Sequence, residues 1–139
     1  MDMLDKTDME ILDLLIENSR MQWQEIGDKV HLTGQAVKNR INKMEKLNII
    51  EEYTLKVNLH KLGKGLIAFI TVFMKSSNHS EFKKYVLNNP LIIEASRISG
   101  DGCYMLKVAV SDDKELTKLL DEILQYGNYK VNLSIENIK

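Results

Sequence analysis

Residues Trp23 to Leu47 read WQEIGDKVHLTGQAVKNRINKMEKL, and this stretch decides how the first half of the chain folds. Its apolar residues fall into two short helical registers with a turn between them. Trp23, Ile26 and Val30 recur at spacings of three and four, which predicts a helix over about Gln22 to Val30. Trp23 could stack on nucleic acid, but at this spacing it is expected in the core, with a partner for its indole N–H. Val37, Ile41, Met44 and Leu47 recur at four, three and three and predict a second helix that starts at Thr33, whose hydroxyl caps a free N–H of the first turn. Gly27 leaves room for a close helix crossing, and His31 falls where a left-handed turn residue is needed. The pattern is that of a helix-turn-helix.

The face of the second helix opposite its apolar stripe carries Gln35, Lys38, Asn39, Asn42 and Lys43. Such long, donor-rich side chains reach phosphate oxygens and base edges when a helix lies in a major groove. Thr33 and Gln35 stand at the helix start, where an exposed backbone N–H also binds phosphate. Arg40 borders the buried stripe, so its sequence position leaves open a phosphate contact or an ion pair with an acid of the first helix.

The net charge of −1 is neutral for a DNA-binding chain, but its distribution is uneven. Residues 1–28 hold eight acidic against two basic residues, a balance of −6, and residues 29–46 hold five basic residues against Glu45 alone, a balance of +4. Positive charge is therefore local to the helix expected to enter the groove.

Working outward, the first helix is expected from about Asp5 or Thr7 to Asn18, with Thr7 and Glu10 at capping-box spacing and Ile11, Leu12, Leu14, Leu15 and Ile16 on a broad apolar face. After the third helix Asn48 suits a left-handed C-terminal position. From Ile50 the period changes to two: Tyr53, Leu55, Val57 and Leu59 alternate with polar residues, as in a half-buried strand serving as a wing or an outward connection. Leu62-Gly-Lys-Gly65 lacks the spacing of a phosphate loop and reads as a flexible join.

The second half reads strand, helix, strand, strand, helix, strand. Strands are expected over residues 67–75, 92–98, 104–110 and 129–135. One helix is capped by Ser80 and stopped at Asn88-Asn89-Pro90, and another is opened by Asp112 and Glu115 and ended by Gly127. Ser99-Gly-Asp-Gly102 supplies the hairpin turn. This order defines a ferredoxin-like βαββαβ layer, one sheet with both helices on one face. The other sheet face needs a cover, and the same face of a second subunit provides one, which predicts a dimer. The fold class is α+β, with a helix-turn-helix domain at 1–60, a linker at 61–66 and the sheet domain at 67–139.

Hydrophobic residues at 44% and charged residues at 28% describe an ordered globular chain. No apolar run approaches a membrane span, and the acidic start MDMLDKTDME is unlike a signal peptide, so a cytoplasmic location and no membrane partner are expected. The single cysteine, Cys103, fits a reducing compartment and a small core or interface residue.

The sequence resembles the Lrp/AsnC family of leucine-responsive regulators along nearly its whole length. The resemblance runs through Leu4-Asp5, Asp8, Ile11-Leu12, Val37, Arg40, Ile41, Glu45, Ile49-Ile50, Tyr53, Leu62-Gly63 and Gly100. It implies a winged helix-turn-helix followed by a ligand-sensing and assembly (RAM) domain. It also implies dimers or octamers that bind and bend double-stranded DNA, regulate transcription and respond to amino acids. Such an effector would lie near Ser99, Gly100, Asp101, Gly102, Cys103 and Tyr104 at a subunit interface; the alternative is that this segment is only a tight turn. The sequence departs from the family at three places. His31 and Asn48 stand where Gly is frequent, and Cys103 occupies a position that is often acidic and able to receive an ammonium.

Two other readings share the scaffold. Haem-pathway decarboxylases resemble the family in fold, but His31, His60 and His79 have no metal spacing and the Asp112-Asp113 pair is explained by capping. No catalytic residue, metal site or cofactor is expected. A sensor or assembly subunit without DNA recognition would show a degraded first half, and none is visible in the first 60 residues.

Overall fold

The computed structural model describes residues 4–139. The chain divides into two compact units between Lys56 and Val57. The first unit is three helices: α1 (Lys6–Glu17), α2 (Trp23–Val30) and α3 (Gly34–Lys46).

Helix α1 is started by Asp5 rather than Thr7. The Asp5 carboxylate accepts from the Asp8 N–H at 2.8 Å and the Asp8 carboxylate accepts from the Asp5 N–H at 3.0 Å. This reciprocal box replaces the expected Thr7–Glu10 pair, and Asp8 is held there because it also meets cations of α3. Helix α2 ends at His31 with φ 60, and Asn48 follows α3 with φ 57, both left-handed as expected. Thr33 caps α3 by accepting from the Ala36 N–H at 3.1 Å. Ile11, Leu15, Ile26, Val37, Ile41 and Met44 form the core of the unit, while Ile16 lies outside it, 74% exposed. A Cβ at position 27 would run into the Leu32 carbonyl oxygen, so Gly27 is what lets the turn into α3 pass this close to α2.

Residues 51–58 carry no regular secondary structure. The strand expected over Tyr53 to Leu59 has no neighbour within this chain to make a ladder with, since the sheet among the described residues is made of four other strands. Leu55 and Val57 are exposed there, and Tyr53 donates its phenolic O–H to Glu45 Oε1 at 2.8 Å.

The second unit contains β1 (Leu66–Met74), α4 (His79–Asn88), β2 (Ile92–Arg97), β3 (Tyr104–Val110), α5 (Asp113–Ile123) and β4 (Gly127–Leu133). The sheet is antiparallel throughout with order β2-β3-β1-β4, the ferredoxin-like arrangement. Ala68, Ile70, Val72, Tyr104, Leu106, Val108 and Val110 point to one face and pack with Phe82 of α4 and Leu116, Leu119 and Ile123 of α5. Alternation leaves Phe69, Thr71, Phe73 and Met105 on the opposite face, the two phenylalanines and the methionine each more than a third exposed.

Asp112 caps α5 as expected, accepting from the Glu115 N–H at 2.9 Å, and Glu115 returns a bond to the Ser111 N–H at 3.0 Å. Ser80 does not cap α4. That helix begins at His79, two residues earlier than a Ser80 cap would set it, and its N-cap Asn78 makes no side-chain cap bond. Gly127 opens β4 rather than closing α5, because its bare Cα lets β4 approach the Phe73 carbonyl, where a Cβ would clash.

Candidate nucleic-acid interface

The register of α3 sorts its side chains. Val37, Ile41 and Met44 are buried, and Gln35, Asn39, Asn42 and Lys43 are exposed on the other side. Gln35 Nε2 donates to Asn39 Oδ1 at 3.1 Å, one turn apart, so these amides form an exposed pair with further donor and acceptor capacity. Asn42 continues the row, and a shallow hollow is lined by Asn39, Asn42, Lys43, Lys46 and Leu47.

The cations of α3 divide into two kinds. Arg40 and Lys43 are tied to α1. Arg40 Nη1 donates to Asp5 at 2.7 and 2.8 Å and to Asp8 Oδ1 at 2.8 Å, and Lys43 Nζ donates to Asp8 Oδ2 at 2.8 Å. The Asp8 side chain has no exposed surface, while Arg40 and Lys43 remain 29% and 44% exposed. Burial opposes the charge on Asp8, but bonds from Lys43, the Asp5 backbone and Arg40 outweigh it and hold the carboxyl down at about 2. The hydrogen bond from Arg40, followed by that from the Asp8 backbone, also holds Asp5 below the ordinary carboxylate value. Arg40, left open between two roles by its position, is thus in the ion pair. Lys43 shares the same carboxylate, which sequence spacing did not indicate.

Lys38 is of the other kind. Among the described residues it is in no ion pair, nor is Lys46 at the end of the helix, and the Lys38 Nζ lies 5.1 Å from the centroid of the Trp23 ring. Trp23 is not in the core: it opens α2 and is 46% exposed. Ile26 and Val30 satisfy the inward face of this short helix, and Trp23, one turn earlier at its end, lies past the edge of the core. Met21, Gln22, Trp23, Gln24 and Gly34 line an open cleft where the N-termini of α2 and α3 come together. The structure thus puts Trp23, expected in the core, and Gln22, not singled out by the sequence, at the rim of this cleft. The only available signal was that Gln22 and Trp23 open the helix.

The hairpin segment is split by the structure. Ser99, Gly100 and Asp101 are exposed in the turn, with Gly100 at φ 89 and Gly102 at φ 108. The Cys103 N–H donates to Val72 O at 2.8 Å, and Tyr104 is buried at the start of β3, 2.6 Å from His79 Nδ1 through its hydroxyl. A Cβ on residue 102 would meet the Thr71 side chain, so Gly102 has a packing reason of its own.

A left-handed turn between α2 and α3, an outer face of amides and lysine on α3, and a separate ferredoxin-like unit together define a helix-turn-helix DNA-binding regulator. The family model described as the AsnC-type helix-turn-helix domain matches residues 4–45, and that of the Lrp/AsnC ligand binding domain matches residues 67–139. The chain belongs to the Lrp/AsnC family of transcriptional regulators.

It is 46% identical to the HTH-type transcriptional regulator LrpB of Bacillus subtilis, over 98% of this chain and 91% of that one. It is 33% identical to LrpA of the same organism, over 96% and 98%. The B. subtilis LrpC structure superposes with a TM-score of 0.93 at 29% identity, covering 98% of this chain and 97% of that one. A Neisseria meningitidis transcriptional regulator in complex with L-Met superposes with 0.91 at 27%, covering 98% and 92%. The relatives are regulators and not enzymes, which sets aside the decarboxylase reading. Among the described residues no helix is long and apolar enough to cross a membrane.

Proposed function

We propose that this regulator binds promoter DNA as a dimer, or as an octamer built from dimers, with one α3 in each of two successive major grooves. Half-sites would then lie about 34 Å apart or a multiple of it. The observation that carries this reading is the row of Gln35, Lys38, Asn39 and Asn42 on the solvent side of a capped, core-anchored helix. Lys38, Asn39 and Lys43 make most of the contact, and Thr33 and Gln35 present the helix start to a phosphate. Arg40 acts mainly by orienting α3 through Asp5 and Asp8. With so few unpaired cations per subunit, tight binding draws on several subunits sharing one DNA, which bends or wraps it. Residues 1–60 read DNA, 61–66 join the two domains, and 67–139 assemble the subunits through Phe69, Phe73 and Met105. The compartment is the cytoplasm.

An amino-acid effector is supported by the L-Met complex of the Neisseria neighbour and by the ligand binding domain match, and the position we propose for it is near Ser99 to Tyr104. The test of DNA reading is titration of promoter fragments at several salt concentrations. Replacing Lys38 by Ala should weaken binding on all sequences and reduce the salt slope by about 1. An unchanged slope removes this face from the interface.

A further inference from the structure

Between α4 and the edge strand β2 lies a cavity of about 260 Å³ that neither the DNA-reading helices nor the exposed part of the hairpin turn explains. Its floor is apolar. The Phe82 and Tyr104 rings lie 4.8 Å apart at their centroids, tilted by 51° to each other, and Val86 and Ala95 complete the wall. Lys83 of α4 and Arg97 of β2 are also among the lining residues, the Arg97 guanidinium 6.0 Å from the Tyr104 ring centroid, so two cations border an otherwise apolar hollow. Among the described residues neither cation is in an ion pair, although Lys84 next door pairs with Glu81 at 3.9 Å and Lys107 with Glu94 at 4.0 Å. The Tyr104 hydroxyl is already engaged by His79 at 2.6 Å, so it offers little to a ligand. No carboxylate lines the cavity, and so nothing there would receive an ammonium.

We infer that this cavity binds a short, branched monocarboxylate that lacks an α-ammonium group, with its hydrocarbon on Phe82, Val86 and Tyr104 and its carboxylate between Lys83 and Arg97. Size agrees with this class. At the roughly 30 Å³ of a liquid water, the cavity holds about nine non-hydrogen atoms, the size of a six-carbon acid. Two cations bordering an apolar pocket favour an anion with a hydrophobic tail, since burying the tail and pairing the head reinforce each other. A zwitterionic amino acid would bring its ammonium to the same two cations and be repelled. The site shares only Tyr104 with the hairpin segment assigned to an amino-acid effector, and its occupancy does not depend on DNA binding.

Calorimetry on the full chain with 4-methylpentanoate, 4-methylpentanamide and L-leucine tests the assignment, since the three differ at one end only. The acid should bind, and the amide and leucine should each bind at least tenfold more weakly. Arg97→Gln and Lys83→Gln should each weaken the acid several-fold, with unliganded thermal unfolding unchanged because both side chains are exposed. Ala95→Leu should abolish binding by filling the wall. Absence of acid binding at millimolar concentration overturns the inference, as does equal affinity for acid and amide. Leucine binding as tightly as the acid overturns the exclusion of the ammonium. Affinity that survives in the Arg97→Gln, Lys83→Gln double variant overturns the site itself.

Discussion

Arg40 Nη1 on α3 lies 2.8 Å from Oδ1 of the buried Asp8 on α1, a contact between residues 32 apart in sequence. The same guanidinium reaches Asp5, and Lys43 holds the other oxygen of Asp8. The acidic first helix thus anchors the helix proposed to read DNA, and the charge imbalance between residues 1–28 and 29–46 is partly an internal pairing.

Breaking this anchor should cost stability before it changes DNA affinity. Arg40→Ala leaves Asp8 buried with Lys43 as its remaining cation, and the expected loss is roughly 1–3 kcal/mol. Arg40→Lys should recover only part of it: a single nitrogen, Nη1, makes all the bonds to Asp5 and Asp8, and the shorter lysine stem must bring its ammonium to that same point. Urea unfolding of the full chain measures both variants, and an unperturbed midpoint in Arg40→Ala would refute the anchoring role.

Acid should loosen the first unit through the same group. The Asp8 carboxyl is lowered from an ordinary 3.8 to about 2 in the folded chain. A lowered folded value means that the folded state binds fewer protons than the unfolded one, so the contribution is fully present above about pH 4. It fades as the pH falls from there towards about 2. Thermal unfolding between pH 5 and 2 should show this loss in the wild type and a shallower one in Asp8→Asn.

Trp23→Ala should change stability by less than about 1 kcal/mol, because the ring is half outside and its resolved partner is a cation on its face. A buried Trp would cost about 3–5 kcal/mol. If the ring borders the groove, the same variant should weaken DNA binding, which anisotropy titration reads directly.

Gly27→Ala should be the opposite case. The added methyl meets the Leu32 carbonyl, backbone that cannot swing aside, and the expected cost is about 2–3 kcal/mol with the helix-turn-helix splayed. Chemical denaturation measures the loss, and restored wild-type stability would show that the crossing has slack.

Charge on the open sheet face should disperse the assembly. Phe69→Asp or Phe73→Asp places a carboxylate among Met105 and the neighbouring ring without touching the helix-packed core. Analytical ultracentrifugation should find these variants shifted towards monomer with secondary structure intact, and an unaltered sedimentation profile would move the interface elsewhere.

Sequence periodicity made the helices, the four-stranded layer and the left-handed residues His31 and Asn48 legible, because each depends on local pattern or on one backbone angle. It misjudged choices settled by distant partners. Thr7–Glu10 and Asp5–Asp8 satisfy the same spacing, and only the arrival of Arg40 and Lys43 favours the second. Tyr53 to Leu59 alternates like a strand, but alternation does not supply the neighbour a ladder needs. Trp23 shares its spacing with Ile26 and Val30, yet only position along a short helix decides which of the three is covered. The cavity beside α4 joins residues from two elements and has no linear signature.

The pairing of β1 with β4 sets Ala68 opposite Leu133, near the two ends of the second unit. On a ribosome, therefore, that unit cannot close until its last strand has emerged, whereas the three helices of the first need only one another, the Asp5 and Asp8 pairs with Arg40 and Lys43 included. The half that reads DNA is therefore complete before the half proposed to gather subunits. Newly made chains should thus be single and sparsely charged readers for a time, with little hold on DNA before they find one another.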